Sequence, residues 1–162
     1  MKQSLLLFFL LISLTAFPQR KPRNLPSTAV EYIIFACSAF EQEHDTARAL
    51  DYVSEAIKLD SNNSFALSLR GMLYYLIGDF SDAISDFDQA IFLDSPDPFN
   101  YLYRGRCYYK QGRYQKALLD ADKAIQLDPF NADHYSLRAD IKEELGDIAG
   151  AETDRLQAAK ME

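Results

Sequence analysis

The sequence predicts an all-α fold, a solenoid of four helix–turn–helix units. The first observation is a recurrence of 34 residues: Arg70, Arg104 and Arg138 keep that spacing, as do Gly78, Gly112 and Gly146, Ala83, Ala117 and Ala151, and Ala90, Ala124 and Ala158. A fixed period of this length marks an array of stacked supersecondary units. The second is a string that returns in register: Ala-Ile-Lys-Leu-Asp at 56–60, Ala-Ile-Phe-Leu-Asp at 90–94 and Ala-Ile-Gln-Leu-Asp at 124–128. The third is a Gly-Asp break between two apolar-periodic runs, at Gly78-Asp79 and Gly146-Asp147. There glycine ends one helix in the left-handed conformation and a second helix follows. The units fall at 30–63, 64–97, 98–131 and 132–162. With 48% hydrophobic and 25% charged residues, the 162-residue chain has the composition of an ordered, core-forming protein.

Before the first unit lies a segment of different character. Lys2 precedes the apolar run Leu5 to Leu14, with Ala16 near its end. These are the parts of a secretory signal peptide, assigned to residues 1–17, and the run is too short for a comfortable membrane span of about 20 residues. An uncleaved signal anchor is the alternative. Residues 18–29 hold Pro18, Pro22 and Pro26 with Arg20, Lys21 and Arg23, a composition that suits an extended linker. Thr28 followed by Glu31 fits a capping box, so a helix starts there.

Within each unit, about thirteen places form the first helix. The glycine of the turn stands at place 15, and the second helix carries alanine at places 20 and 27, where small side chains let two helices approach closely. Asp128-Pro129 stops a second helix, and Pro98 suits the first position of the next one. Place 7 is Arg in three units and place 23 is Asp in the same three, whereas the first unit has Ala36 and Tyr52. The two changes travel together, which predicts structural ion pairs Arg70–Asp86, Arg104–Asp120 and Arg138–Asp154 across the two helices of a unit.

The pattern resembles the tetratricopeptide repeat, whose unit carries Trp-x2-Leu-Gly-x2-Tyr, then Ala-x3-Phe, then Pro. Tyr101, Gly105, Tyr108, Gly112, Tyr114, Ala117, Ala124 and Pro129 fall on motif places in one unit, and Leu67, Gly71, Tyr74, Gly78, Phe80, Ala83, Phe87 and Ala90 in the one before it. The first unit departs with Cys37 and His44 in place of glycines. The last departs with Lys142, Glu152 and Arg155, polar substitutions that suit a terminal cap needing no further helix to cover it. The resemblance implies a right-handed superhelix with the first helices lining a concave groove.

It also implies which residues face the groove. The middle units place Phe65, Ser68, Leu69, Met72, Tyr75 and Leu76, then Phe99, Leu102, Tyr103, Arg106, Tyr109 and Lys110 there; the last unit places Asp133, Ser136, Leu137, Asp140, Glu143 and Glu144. The candidate partner-binding set is Phe65, Leu69, Met72, Tyr75, Phe99, Tyr103, Arg106, Tyr109 and Lys110, aromatics with cations of the kind that anchor interfaces. An extended or helical peptide with apolar anchors and an acidic group near Arg106 and Lys110 fits. The family subclass that clamps C-terminal carboxylates uses Lys, Asn and Arg at set places, but here those places hold Ile34, Ser38, Leu69, Phe99 and Tyr103, or Ser68, Met72, Tyr103, Asp133 and Leu137. Such a clamp is not expected.

Other chemistry finds little support. Thirteen of the 17 Lys and Arg and all 24 Asp and Glu follow residue 29, and a body this acidic repels nucleic-acid backbones and anionic lipid. His44 and His134 stand ninety residues apart, and no metal motif, phosphate loop or nucleophile elbow is present, so no catalytic residue, metal or cofactor is expected. Cys37 and Cys107 lie two units apart, roughly 16–20 Å at ordinary helix spacing, too far for a disulfide. Free thiols keep a cytosolic location open beside the exported one. The reading is an exported, non-catalytic interaction scaffold for a protein or peptide, with a self-associating subunit of an envelope complex as the alternative.

Overall fold

A computed structural model gives the fold and describes residues 26–42, 44–93 and 97–161. The signal-peptide assignment and most of the linker lie outside the described residues. Eight helices form among those described: α1 Ala29–Glu41, α2 Thr46–Leu59, α3 Ser64–Ile77, α4 Phe80–Leu93, α5 Pro98–Lys110, α6 Tyr114–Leu127, α7 Ala132–Glu144 and α8 Ile148–Ala158. They pair as four hairpins, and each second helix packs on the first helix of the next hairpin. The later first helices also meet directly, α3 with α5 and α5 with α7, so these three form one continuous inner layer. This is the helical solenoid that the 34-residue period predicts.

Local chemistry sets the ends of the helices. Thr28 accepts from the backbone of Glu31 while the Glu31 carboxylate accepts from the backbone of Thr28, a complete capping box. Asp45, Asn63, Asp97, Asn131 and Asp147 cap later helices in the same way with a side-chain oxygen on a free N–H. Gly78, Gly112 and Gly146 take φ of +86°, +71° and +85°, and the first hairpin puts His44 in that region at +53°. The left-handed turn is therefore a requirement of the hairpin, met in one copy by a residue that bears some strain for it.

The core runs along the seam between paired helices. Ala49, Ala56, Ala83, Ala90, Ala117, Ala124 and Ala151 are wholly buried. Gly71 faces the ring of Phe87, and a Cβ there would lie 2.9 Å from Phe87 Cε1. Phe87 is itself buried and touches the rings of Phe99 and Tyr103, so it bridges one hairpin to the next. Between the same hairpins, Ser68 Oγ donates to Asn100 Oδ1 at 2.6 Å, both residues buried. Replacing Gly71 by Ala raises helix propensity by about 1 kcal/mol. Overpacking against a ring that cannot withdraw costs about 1–3 kcal/mol. Gly71→Ala is therefore expected to lower the stability measured by urea unfolding, in spite of its propensity.

Candidate functional site

Two polar constructions lie on this scaffold, one structural and one open to solvent. The structural one is built on the Arg at place 7. Arg70 Nε and Nη2 donate to the two oxygens of Asp86 at 2.7 and 2.7 Å. Arg104 grips Asp120 in the same fork at 2.9 and 2.7 Å, and Arg138 grips Asp154 at 2.8 and 2.7 Å. The carboxylates are only 4%, 5% and 3% exposed, so these are interior pairs. A further carboxylate escapes any comparison of units one at a time. Arg104 Nη1 also donates to Asp88 on the preceding second helix at 2.6 Å, and Arg138 Nη1 donates to Asp122 at 2.8 Å. Asp88 and Asp122 stand 34 residues apart, so the period itself carries the signal.

The three buried acids do not share one electrostatic state. Burial pushes the Asp120 carboxyl above its ordinary value, further than Arg104 pulls it down, and Asp88 nearby adds to the rise. Burial acts on Asp154 too, but hydrogen bonds from Arg138 and from Lys142, whose Nζ lies 2.8 Å away, outweigh it and hold that carboxyl low. Asp154 thus contributes stability above the unfolded pKa of about 3.9, and loses it as pH falls through the lower folded value. Asp120 has the opposite sign: its folded state gains relative stability as pH falls through a raised pKa.

The open construction lies on the inner layer. Tyr75 from α3, Arg106, Tyr109 and Lys110 from α5, and Ser136, Leu137 and Asp140 from α7 line a recess of about 170 Å³. Arg106 stacks over the Tyr103 ring at 5.1 Å and reaches Asp133 at 3.3 Å, so its charge is partly engaged. Asp140 sits 3.7 Å from Arg155. Lys110 is exposed over the Tyr109 ring at 6.0 Å and makes no ion pair among the described residues. The Tyr109 hydroxyl is held above its usual pKa by burial and then by Glu144 and Asp140, so it stays a donor.

The predicted groove residues divide into two groups. Tyr75, Arg106, Tyr109 and Lys110 come together at the recess. Phe65 is exposed further along the inner layer. Leu69 and Met72 pack on the core of the first two hairpins. Phe99 and Tyr103 stack on each other at 4.4 Å, and Tyr75 meets Tyr103 edge-on at 5.5 Å. Phe99 and Tyr103 thus pack on the core cluster around Phe87, and of these rings only Tyr75 lines the recess. No group of three or more His, Cys, Asp or Glu among the described residues could hold a metal ion. No helix among them is long and apolar enough to cross a membrane.

Both thiols are free, Cys107 buried and Cys37 half-buried. Burial pushes the Cys107 thiol up to about 12 and, with Glu41 nearby, also raises Cys37. Iodoacetamide at pH 8 should therefore leave Cys107 unmodified in the native protein and label it only after denaturation, read by mass spectrometry. For the acids, Asp154→Asn strips Lys142 and Arg138 of a shared partner and should cost about 3–5 kcal/mol at pH 7. That gap should narrow below pH 4, while Asp120→Asn costs less at pH 7; urea unfolding at pH 7 and pH 3.5 reads both.

Comparison with known proteins places this geometry. Tetratricopeptide repeat profiles match residues 35–98 and 98–131. Among solved structures, a MamA protein aligns with a TM-score of 0.75 at 22% identity, covering 82% of this chain and 72% of that one. MamA residues 41-end from Desulfovibrio magneticus RS-1 give 0.77 at 18%, covering 86% and 78%. The first repeat domain of Spaghetti (RPAP3) bound to the HSP90 peptide SRMEEVD gives 0.71 at 21%, covering 74% and 94%. At these identities the likeness establishes the fold alone. No curated protein sequence matches the chain. The profiles, the repeat register and the stacked hairpins together make the chain a member of the tetratricopeptide repeat family.

Proposed function

We propose that this protein is a non-catalytic interaction module that takes a partner peptide along the inner layer, with the recess around Tyr109 and Lys110 as its recognition point. One observation carries the reading: groove places of three successive first helices converge there on unlike chemistry. Lys110, Tyr109 and Ser136 supply donors for a carboxylate at the recess, beside the Asp140 carboxylate that pairs with Arg155. Tyr75 and Leu137 offer apolar walls beside them. The volume, about 170 Å³, falls below the roughly 300–1,000 Å³ of pockets for cofactor-sized ligands, and fits one or two side chains of a longer ligand.

The peptide differs from the one named in the Spaghetti (RPAP3) structure. The places for a C-terminal clamp hold Ile34, Ser38, Leu69, Phe99 and Tyr103, of which Leu69, Phe99 and Tyr103 serve packing. The segment Lys2 to Ala16 supports export to the periplasm or the medium, and the linker from residue 18 would then begin the mature chain. The alternative, assembly by self-association, is favoured by Phe92 and Phe130, which are 86% and 84% exposed. Light scattering at micromolar concentration separates the two readings.

Panning a phage-displayed peptide library on the purified protein should enrich sequences with Asp or Glu among apolar residues. For the best peptide, Lys110→Ala and Tyr109→Ala should each weaken binding about tenfold, a loss of about 1.4 kcal/mol. Leu119→Ala, on the exposed side of α6, should leave it unchanged. A dissociation constant unaffected by both recess variants would remove the recess from the account.

A further inference from the structure

The ladder of place-7 arginines is complete in two hairpins and one step short in a third. Arg104 and Arg138 each bind two carboxylates, one on their own second helix and one on the second helix before it. Arg70 repeats the inner half of this arrangement with Asp86, at 2.7 and 2.7 Å. The position 34 residues before Asp88 is Ser54, on α2, which is uncharged and one atom layer shorter than aspartate. Among the described residues, no acceptor stands on Arg70 Nη1.

We infer that the Nη1 edge of Arg70, on the side where the repeat register puts Ser54, is a binding site for a carboxylate side chain supplied by a partner protein. The two complete copies serve as the stereochemical precedent. In each, Nη1 takes a carboxylate at 2.6 or 2.8 Å while the other two nitrogens keep the inner acid. The outer acids Asp88 and Asp122 are 53% and 52% exposed, so this position is reached from solvent. Arg70 is set as firmly as its counterparts, with its side chain 23% exposed against 18% and 21%, and with the Tyr74 ring at 5.8 Å from its guanidinium carbon. Rotamer entropy is therefore already lost before a ligand arrives.

The charge around the site selects the ligand. Asp86 neutralises Arg70, and Asp82, one turn earlier on α4, is close enough to raise its pKa further. A single carboxylate brings the arginine to the state that Arg104 and Arg138 already occupy. A phosphate dianion would add more charge than either copy holds. The same acids weaken the pull on any free anion, so useful affinity must come from a side chain whose protein makes other contacts. The site shares no residue with the recess around Lys110, and its failure would leave that reading untouched.

The experiment is a titration followed at the arginine Nε–H resonances of 15N-labelled protein at constant ionic strength. The probes are sodium acetate, inorganic phosphate and a blocked dodecapeptide of alternating Glu and Ala. Acetate should shift the Arg70 signal saturably and leave those of Arg104 and Arg138 in place, and phosphate should shift none of them. The peptide should saturate at a carboxylate concentration at least tenfold lower than acetate. Ser54→Asp should abolish the Arg70 response by filling the position from within, and should raise the melting temperature by about 2–4 °C. Three results would overturn the inference: an Arg70 response no larger than the other two, one that survives in Ser54→Asp, or equal potency of peptide and acetate per carboxylate, which would assign the site to free small acids.

Discussion

The close approach of the two helices within each hairpin governs the rest of the molecule. It depends on side chains that are almost absent: alanine at places 20 and 27 in every unit, all but one of the eight with no exposure at all, and glycine at place 8 in the middle two. Only at that separation can an arginine on the first helix meet an aspartate on the second with both forks engaged. A larger residue in the seam would push Arg104 from Asp120 and leave a buried carboxylate without its partner, which costs far more than the pair gains. The seam and the ion pairs are thus one device. The alanines bring the helices together, and the arginines make any other spacing expensive.

The outer carboxylates extend that device from hairpin to solenoid. Arg104 holds α6 and α4 at once, and Arg138 holds α8 and α6, so the second helices of successive hairpins are tied through first-helix arginines. Phe87 does the same with apolar contact, resting on Gly71 in its own hairpin and on Phe99 and Tyr103 in the next. Between the first two hairpins no place-7 arginine bridges two carboxylates among the described residues, and the cluster around Val53, Leu73 and Met72 packs there. Apolar packing is less particular about angle than a fork of hydrogen bonds. The curvature of the inner layer is therefore set most tightly from the second hairpin to the fourth, the span in which the recess lies.

Much of this was legible because a repeat gives the reader several copies of each position. The hairpins, their glycine turns and the Arg–Asp pairing at places 7 and 23 could be read from spacing alone. Asp88 and Asp122 carried the same signal and were overlooked, since pairing within a unit explains Arg104 and Arg138 without them. What a side chain does at a groove place was less legible. Place 6 holds Leu69, Tyr103 and Leu137: Leu69 and Tyr103 are drawn inward, Tyr103 by the large ring of Phe87 beside it, while Leu137 packs on the core and still borders the recess. Place 12 holds Tyr75 and Tyr109, which line the recess, because their neighbours leave room. Period fixes the direction in which a residue leaves its helix. The volume of its neighbours decides whether it stops at a wall or reaches solvent, and that depends on pairs of residues far apart in the chain.

Charge acts on a ligand at two ranges. At long range the protein is an anion, with a formal charge of −7, a field that favours ligands of net positive charge. At Lys110 a single cation stands among acids: Asp133 pairs with Arg106 and Asp140 lies 3.7 Å from Arg155, while the lysine makes no ion pair among the described residues. A strongly acidic peptide would be turned away before it reached the groove. A mildly basic one carrying a single acid among apolar residues would be attracted at long range and held at short range. The long-range part weakens with added salt, whereas a direct hydrogen-bonded contact at Lys110 weakens less. Association with the groove should therefore slow as ionic strength rises, while dissociation stays nearly constant, a signature that separates recognition of this kind from simple attachment to an acidic surface.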